Sequence, residues 1–330
     1  MSYLTKYGSF WGFIPQTTGR YFYVAPAAAY VVEGNTYEAS NDNDGLSPER
    51  AVRTVNRAIA LATASAGEVI VLLPGSHSVS STILVNKAGL TITGIPGSVR
   101  TATQRKASGA KRLRTQITST ETAGKIITVS APDTEIAYIH FAPPAAGGQG
   151  VTLTPTLAAA NRAYVHDCTF ALQGTASVTT YGVAVNAGVT ADILDEAVIS
   201  NCYFVSGLDT SSGANGAGVV VLGTAHGLTI EQSTFELKGT AAWATGILSS
   251  NAGTLGLLIR DCDFINPTSA TTVITTAINT TGQTVDGSTK VLRCYVDAGT
   301  DGVTATAMVD IVLSESYTAN SSGGTILLNG

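Results

Sequence analysis

The chain has 330 residues, of which 12% are charged and 44% hydrophobic, and its formal net charge at pH 7 is −5. This composition excludes a disordered, highly charged protein and provides enough apolar material for a long core. The negative charge disfavours nucleic acid as a partner. The longest apolar runs, such as VIVLL at 69–73, are too short to span a bilayer, so we expect no membrane contact.

The first 34 residues are rich in aromatic side chains and predict an extended N-terminal arm. Nine of the 22 aromatic residues lie within the first 30 positions, and they follow neither a helical nor a strand period. Aromatic side chains at this density are typical of protein interfaces. The alternative is an arm that folds back onto the rest of the chain. The arm residues that we assign to partner binding are Tyr3, Tyr7, Phe10, Trp11 and Phe13.

The run NDNDG at 41–45 permits two interpretations. Asp42 and Asp44 carry the oxygen ligands that a hard cation prefers. A glycine-closed Asx turn explains the same residues. We favour the turn and assign no metal site.

A short capping helix is predicted near 54–65. Thr54 suits the N-cap, and Gly67 is expected to end the helix before the strand VIVLLPG at 69–75. The apolar positions Val55, Ala58, Ile59 and Ala62 follow at helical spacing on one face.

A basic segment at 100–114 lies between the strands LTITG (90–94) and TQITS (115–119), and it is predicted to be a loop. It holds six of the 18 basic residues. A solvated loop, docking on an acidic protein surface and phosphate binding all remain open. The residues that we assign to partner binding are Arg105, Lys106, Lys111, Arg112 and Arg114.

All four cysteines occupy the same place in a recurring phrase, for example AYVHDCTF ending at Phe170 and VISNCYF ending at Phe204. A further copy carries Ser233 in place of cysteine. The equivalent positions 168, 202, 233, 262 and 294 are separated by 34, 31, 29 and 32 residues. This period indicates a solenoid.

The phrase also predicts a bend. Ile199 and Cys202 are three residues apart, so they face the same core only if the chain turns at Ser200 and Asn201. Small apolar strands recur between the phrases, at 181–185, 216–223, 244–250, 275–281 and 306–313. We therefore predict an all-β fold, a right-handed parallel β-helix of about 30 residues per turn, in which the arm (1–34) precedes a solenoid domain (35–330).

Stacking of successive turns places the cysteines in one ladder and the phenylalanines in another. Parallel stacking at about 4.8 Å holds the Cβ atoms farther apart than the roughly 3.8 Å that a disulfide prefers. We expect free, buried thiols that fill the core.

The segment DGLSPERA at 44–51, the helix TVNRAI at 54–59 and the strand VIVLLPG resemble the N-terminal cap of the pectate-lyase-like β-helix superfamily. Together with the opening MSYLTKYGSFWGFIPQTTGRYFYVAPA, they resemble virion structural proteins of tailed bacteriophages. The resemblance covers about the first 100 residues. It implies a homotrimer, either a tailspike that binds or cleaves surface polysaccharide or a protein that decorates the capsid.

The search for catalytic residues starts from paired carboxylates on neighbouring turns. Glu231 and Asp261 fit that description, with Asp263 nearby and Asp167 at the equivalent bend. The polar bend series 167, 201, 232, 261 and 293 is more typical of a structural ladder. The active-site motifs of polygalacturonases and pectate lyases have no match. We assign no catalytic residue and no cofactor, and we predict that the chain is not an enzyme.

The function predicted from sequence is a structural protein of a phage virion. The chain has no apolar signal at its start, which predicts synthesis in the host cytoplasm followed by assembly into the particle. We expect a trimeric capsid decoration or cement protein whose arm contacts the major capsid protein or another virion protein. A tailspike that binds or depolymerises host polysaccharide is the alternative.

Overall fold

The computed structural model describes residues 19–95, 115–121, 124–144, 147–154, 162–172, 180–185, 193–206, 216–237, 243–251, 253–265, 274–280 and 289–296, and strand segments at 301–304 and 317–318. Within this part the chain is a right-handed parallel β-helix, which confirms the predicted fold. A full turn contributes one strand to each of three parallel sheets, which we number 1 to 3.

The strands of each sheet stack in chain order. Sheet 1 contains Tyr21–Val24, Val69–Leu72, Thr91–Thr93, Glu135–Ala137, Tyr164–His166, Val198–Ser200, Thr229–Glu231, Leu258–Arg260 and Lys290–Leu292. Sheet 2 contains Gly75–Val79, Thr115–Ser119, His140–Ala142, Thr169–Leu172, Tyr203–Ser206, Thr234–Leu237, Asp263–Ile265, Tyr295–Val296 and Tyr317–Thr318. Sheet 3 contains Ile83–Val85, Lys125–Val129, Gln149–Leu153, Tyr181–Val185, Ala217–Val221, Trp243–Ser249, Ile274–Asn279 and Asp301–Thr304. Leu194–Asp195 and Ala225–His226 form a short parallel pair.

Sheet 1 points its middle residues into the core. Val165 pairs in register with Ile136 on one side and Ile199 on the other, and Ile230 and Ile259 continue the column. All five are buried. Because side chains alternate along a strand, the residues on either side of this column face outward.

The predicted bend lies between sheets 1 and 2, at one residue of each turn. Asn201 has a φ of 48°, in the left-handed region, whereas Ser200 is still the last residue of its strand. Equivalent left-handed residues are Tyr138, Asp167, Gln232, Asp261 and Arg293. A second left-handed bend, which the sequence analysis missed, precedes sheet 1 at Gly89, Asp133, Arg162, Glu196, Gly227 and Gly256.

Five phenylalanines stack along the core. Their ring centroids are 4.7–5.0 Å apart and neighbouring planes are within 10° of parallel. The stack consists of Phe141, Phe170, Phe204, Phe235 and Phe264. Each stacked pair contributes about 0.5–1.5 kcal/mol beyond the burial of its area.

A ladder of glycines in sheet 3 packs against this stack. A Cβ at Gly218 would lie 2.5 Å from the Phe235 ring, and a Cβ at Gly246 would lie 2.6 Å from the Phe264 ring. Gly150 and Gly182 make the same approach to Phe170 and Phe204. These positions therefore have room for the ring only because they lack a side chain.

The four cysteines are free and buried, as predicted. The Sγ of Cys202 lies 3.7 Å from the carbonyl oxygen of Val165. Ser233 takes the place of a thiol, donates its hydroxyl hydrogen to the Glu231 carbonyl and accepts from the Cys202 amide. Burial raises the pKa of Cys168 and Cys262 well above the usual value. The thiols are core groups.

The N-terminal end is closed by helix α1, Val55–Leu61. Thr54 is its N-cap, as predicted, and accepts the Arg57 amide at 3.2 Å. The helix ends at Leu61, several residues before Gly67, because Ala62 already has extended backbone angles. A 3-10 turn, Pro48–Arg50, precedes α1, and Ala29–Val32 pairs with Asn35–Glu38 in an antiparallel hairpin.

Part of the segment predicted as an arm belongs to the solenoid. Tyr21–Val24 pairs in parallel with Val69–Leu72 and opens sheet 1. Residues 1–18 lie outside the described part, and the division of the chain at residue 34 stays a prediction. The strand predicted at 306–313 also lies outside it, and sheet 3 instead continues through Asp301–Thr304. No helix in the described part is long and apolar enough to cross a membrane.

Candidate functional site

The outer face of sheet 1 and the adjoining bend carry a cluster of polar and aromatic side chains. Glu135 and Tyr164 occupy one outward column, and His166, Ser200 and Glu231 occupy the next. The strand geometry therefore brings together residues that lie about one repeat apart in the chain.

His166 is held between two carboxylates. Its Nε2 donates to Glu135 Oε1 at 2.7 Å and its Nδ1 donates to Asp167 Oδ2 at 2.7 Å. Burial alone lowers the pKa of His166, but the bonds to Asp167 and Glu135 outweigh burial and raise the pKa to about 9. His166 is therefore an imidazolium at neutral pH.

The carboxylates have further partners. The bond from His166 lowers the pKa of Glu135, so Glu135 stays ionised at neutral pH. Thr91 Oγ1 donates to Glu135 Oε2 at 3.0 Å, and Asn201 Nδ2 donates to Asp167 Oδ1. The cluster thus extends over four successive turns.

Two tyrosines flank the imidazolium. Tyr164 stacks on His166 with ring centroids 4.1 Å apart and an interplanar angle of 24°. Tyr138 meets His166 edge-on at 5.8 Å. Tyr164 keeps 39% of its surface exposed. An exposed aromatic face beside fixed charges and hydrogen-bonding groups suits a polyhydroxylated ligand.

Glu231 and Asp261, the carboxylates that the sequence analysis singled out, each bind an arginine on the following turn. Arg260 Nε donates to Glu231 Oε2 at 2.7 Å, and Ser200 Oγ donates to Glu231 Oε1 at 3.2 Å. Arg293 forms two 2.7 Å bonds to Asp261, and these bonds lower the pKa of Asp261. Asp263 lies beyond the bend, in sheet 2.

Five of the six ion pairs that join neighbouring turns in the described part of the chain share one orientation. These five have the acid on the earlier turn and the base on the next. They are Asp133–Arg162, Glu135–His166, Asp195–His226, Glu231–Arg260 and Asp261–Arg293. At the capped end Arg20–Glu68 has the reverse order.

The remaining predicted site residues fall in two groups. Asp44 accepts the Leu46 amide at 3.1 Å and pairs with Arg50, which is the geometry of an Asx turn. All ten residues assigned to partner binding, in segments 1–18 and 96–114, lie outside the described part. No group of three or more metal-ligating side chains occurs among the described residues.

The sequence analysis missed the histidine cluster. Asp167 was considered there as a carboxylate at the bend, but neither His166 nor Glu135 was considered as a site residue. The solenoid period contained the signal, because Glu135 lies 31 residues before His166, close to one repeat.

Comparison of the structure with solved structures finds β-helix proteins. Pectin methylesterase from Aspergillus niger has a TM-score of 0.51 at 13% identity, over 84% of this chain and 85% of that one. Pectate lyase Pel9A has a TM-score of 0.50 at 14% identity, over 94% and 81%. A phage protein, ORF18 of Geobacillus virus E2, matches at a TM-score of 0.33 and 11% identity, over 80% and 56%. No protein-family model and no curated protein matches this chain.

These matches contradict the expectation that the chain is not an enzyme. Pectin methylesterase and pectate lyase are both enzymes, and the expectation depended on the lack of a recognisable catalytic motif. At 13–14% identity the likeness shows the fold. The chemistry of this chain has to be argued from its own side chains.

Proposed function

We propose that this chain is a trimeric virion protein of a tailed phage that binds a surface polysaccharide of its host along the outer face of sheet 1. The observation that carries the proposal is the exposed Tyr164 ring, which is stacked on an imidazolium that two carboxylates hold in place. The virion location rests on the resemblance of the opening residues. The resemblance implies either a tailspike or a capsid decoration protein, and the polar outer face of sheet 1 favours the tailspike.

The chemistry of the face supports sugar binding. The apolar surface of a pyranose ring packs on an aromatic face, and its hydroxyl groups need donors and acceptors at the edge. Tyr164 provides the aromatic surface. Glu135 and Asp167 provide acceptors, and Asn201 and Arg260 provide donors along the same face. Partners on consecutive turns, about 4.8 Å apart, suit an extended polymer.

Cleavage of the bound polysaccharide is a second candidate function, favoured by the presence of two carboxylates two turns apart on this side of the solenoid. Asp167 adjoins His166, which is two strands from Glu231 in sheet 1. Two strands place their backbones about 10 Å apart, and the carboxyl groups of inverting glycosidases are about 6.5–9.5 Å apart, so side chains that lean toward each other from this spacing can reach the required separation. In such a reaction one carboxyl group protonates the leaving oxygen and the other activates water.

Binding is tested with purified host polysaccharide and the full chain. We expect Tyr164→Ala to weaken binding at least tenfold. Tyr295→Ala is the matched control, because Tyr295 is equally exposed, at 38%, but lies in sheet 2. Equal affinities of the two variants would overturn the proposed binding face.

Cleavage is tested by incubating the same polysaccharide with the protein and measuring the release of oligosaccharides. We expect Asp167→Asn and Glu231→Gln each to lower the rate at least a hundredfold while binding persists. Asp133→Asn, which removes an ion pair at the opposite bend, is the control. Absence of release by the unmodified protein would contradict the second candidate and leave the binding proposal to its own test.

A further inference from the structure

A second cleft lies at the capped end of the solenoid, away from the sheet 1 cluster. It has a volume of about 310 Å³ and opens to solvent between the start of α1 and the segment 77–83. This volume is at the lower end of the range for ligand pockets, about 300–1,000 Å³, and suits one sugar ring.

The floor of the cleft holds a buried histidine. His77 is 4% exposed, and its Nε2 lies 2.8 Å from the Leu73 carbonyl oxygen. A carbonyl only accepts, so Nε2 carries the hydrogen. Burial lowers the pKa of His77, and the nearby Arg53 charge adds to the effect, so the ring is neutral at pH 7. Nδ1 is then a hydrogen-bond acceptor, and it has no partner among the described residues.

The rim of the cleft combines a cation with hydroxyl groups. The Arg53 guanidinium has no acidic partner among the residues that the structure describes. Ser78, Ser80 and Ser81 line the same opening. Val55 and Ile83 provide buried apolar surface beneath it.

These groups suit a ligand of mixed character. A simple anion would satisfy Arg53 but has no hydrogen to donate to His77 Nδ1. A neutral sugar would satisfy Nδ1 but leave the guanidinium without a carboxylate. A sugar that carries both hydroxyl and carboxylate groups satisfies both.

We propose that this cleft binds a single hexuronate residue, with its carboxylate on Arg53, a ring hydroxyl donating to His77 Nδ1 and the ring against Val55. The site is separate from the face of sheet 1, and the proposal does not rest on the function proposed above.

The test is isothermal titration of the full chain with three probes. Glucuronate is expected to bind with a dissociation constant on the order of 1 mM, as suits a monosaccharide. Glucose, which lacks the carboxylate, and acetate, which lacks the hydroxyls, are expected to bind at least tenfold more weakly. Equal binding of glucuronate and either of the other probes, or no binding of glucuronate, would overturn the proposal.

Two variants locate the site. Arg53→Gln should weaken glucuronate binding at least tenfold, whereas Arg57→Gln should not. Arg57 lies within α1, donates to the Asn41 carbonyl and does not line the cleft, so it is the matched control. Ser81→Trp, at an exposed position on the rim, should block binding without touching the core. Unchanged affinity in a folded Arg53→Gln or Ser81→Trp protein would contradict the assignment.

Discussion

At the scale of single residues, His166 is the most informative group in the chain. Its environment contains two opposing effects, desolvation and two carboxylates, and the carboxylates dominate. The phrase AYVHDCTF by itself correctly predicts that Cys168 and Phe170 are buried in the core. The phrase does not predict that His166 contacts Glu135 on the preceding turn, because that contact depends on how the turns stack.

The pH dependence of stability follows from this environment. The pKa of His166 rises from 6.5 to about 9 on folding, so its contribution is fully present below pH 6.5 and is lost as the pH rises through 9. We expect His166→Gln to cost about 1–3 kcal/mol at pH 6 and much less at pH 10. Urea unfolding at pH 6, 8 and 10 measures the difference.

His226→Gln is the control for that experiment. His226 has a single 3.5 Å contact to Asp195 and is more exposed than His166. We expect only a small change in the free energy of unfolding, because this contact is long and half-exposed. A cost of His166→Gln that stayed constant across the three pH values would contradict the assigned imidazolium.

The cysteines give a second residue-scale prediction. All four side chains are at most 1% exposed, and none forms a disulfide. We expect no cysteine to react with a thiol reagent in the native protein and all four to react once the protein is unfolded. Rapid labelling of even one cysteine under native conditions would show that the corresponding turn opens.

At the scale of elements, the sequence predicts the parts of each turn that repeat chemically. The cysteine and phenylalanine ladders identify the bend between sheets 1 and 2, because each of the two residue types recurs at its own fixed position just after the bend. The second bend escaped prediction because its residues share only a backbone conformation. Asp133, Arg162 and Gly227 have little in common as side chains, yet each has a positive φ.

The glycine and phenylalanine ladders are coupled. At the turn after Gly246 and Phe264, the equivalent residues are Ala277 and Val296, so a larger residue in sheet 3 accompanies a smaller one in sheet 2. The coupling does not hold at the N-terminal end of the phenylalanine stack. There Ile126 occupies the sheet 3 position equivalent to Gly150, although the next turn carries a phenylalanine, Phe141.

Exchange of one pair tests the coupling. We expect Gly218→Ala to destabilise the protein by about 1–3 kcal/mol, because the new methyl group overlaps the Phe235 ring. Adding Phe235→Val should recover part of that loss, so the double variant should be more stable than the sum of the single changes predicts. Chemical denaturation of the unmodified protein, the two single variants and the double variant gives the free energies for a double-mutant cycle. Strict additivity would show that the two positions do not contact each other.

At the scale of the whole molecule, the proposed assembly depends on segments that lie outside the described structure. The arm residues Tyr3 to Phe13 and the basic segment 100–114 are proposed to bind the capsid or another virion protein. Their aromatic and basic composition supports a contact of this kind. The arm is followed in the chain by Tyr21–Val24, a strand that is part of sheet 1.

Two measurements test this assembly. Light scattering should give a mass near three times 33.7 kDa for a trimer. Deletion of residues 2–18 should abolish binding to particles that lack the protein, while the solenoid remains folded because its first strand begins at Tyr21. A deleted protein that still binds and stabilises particles would exclude the arm as the anchor.

The shared orientation of the ion pairs between turns gives the solenoid a direction. From Asp133 to Arg293, each of the five described pairs has its acid on the earlier turn and its base on the next, whereas Arg20–Glu68 at the capped end has the reverse order. A polymer lying along this surface would therefore encounter different surroundings in its two possible orientations. A linear glycan, whose reducing and non-reducing ends differ, would be held preferentially one way round.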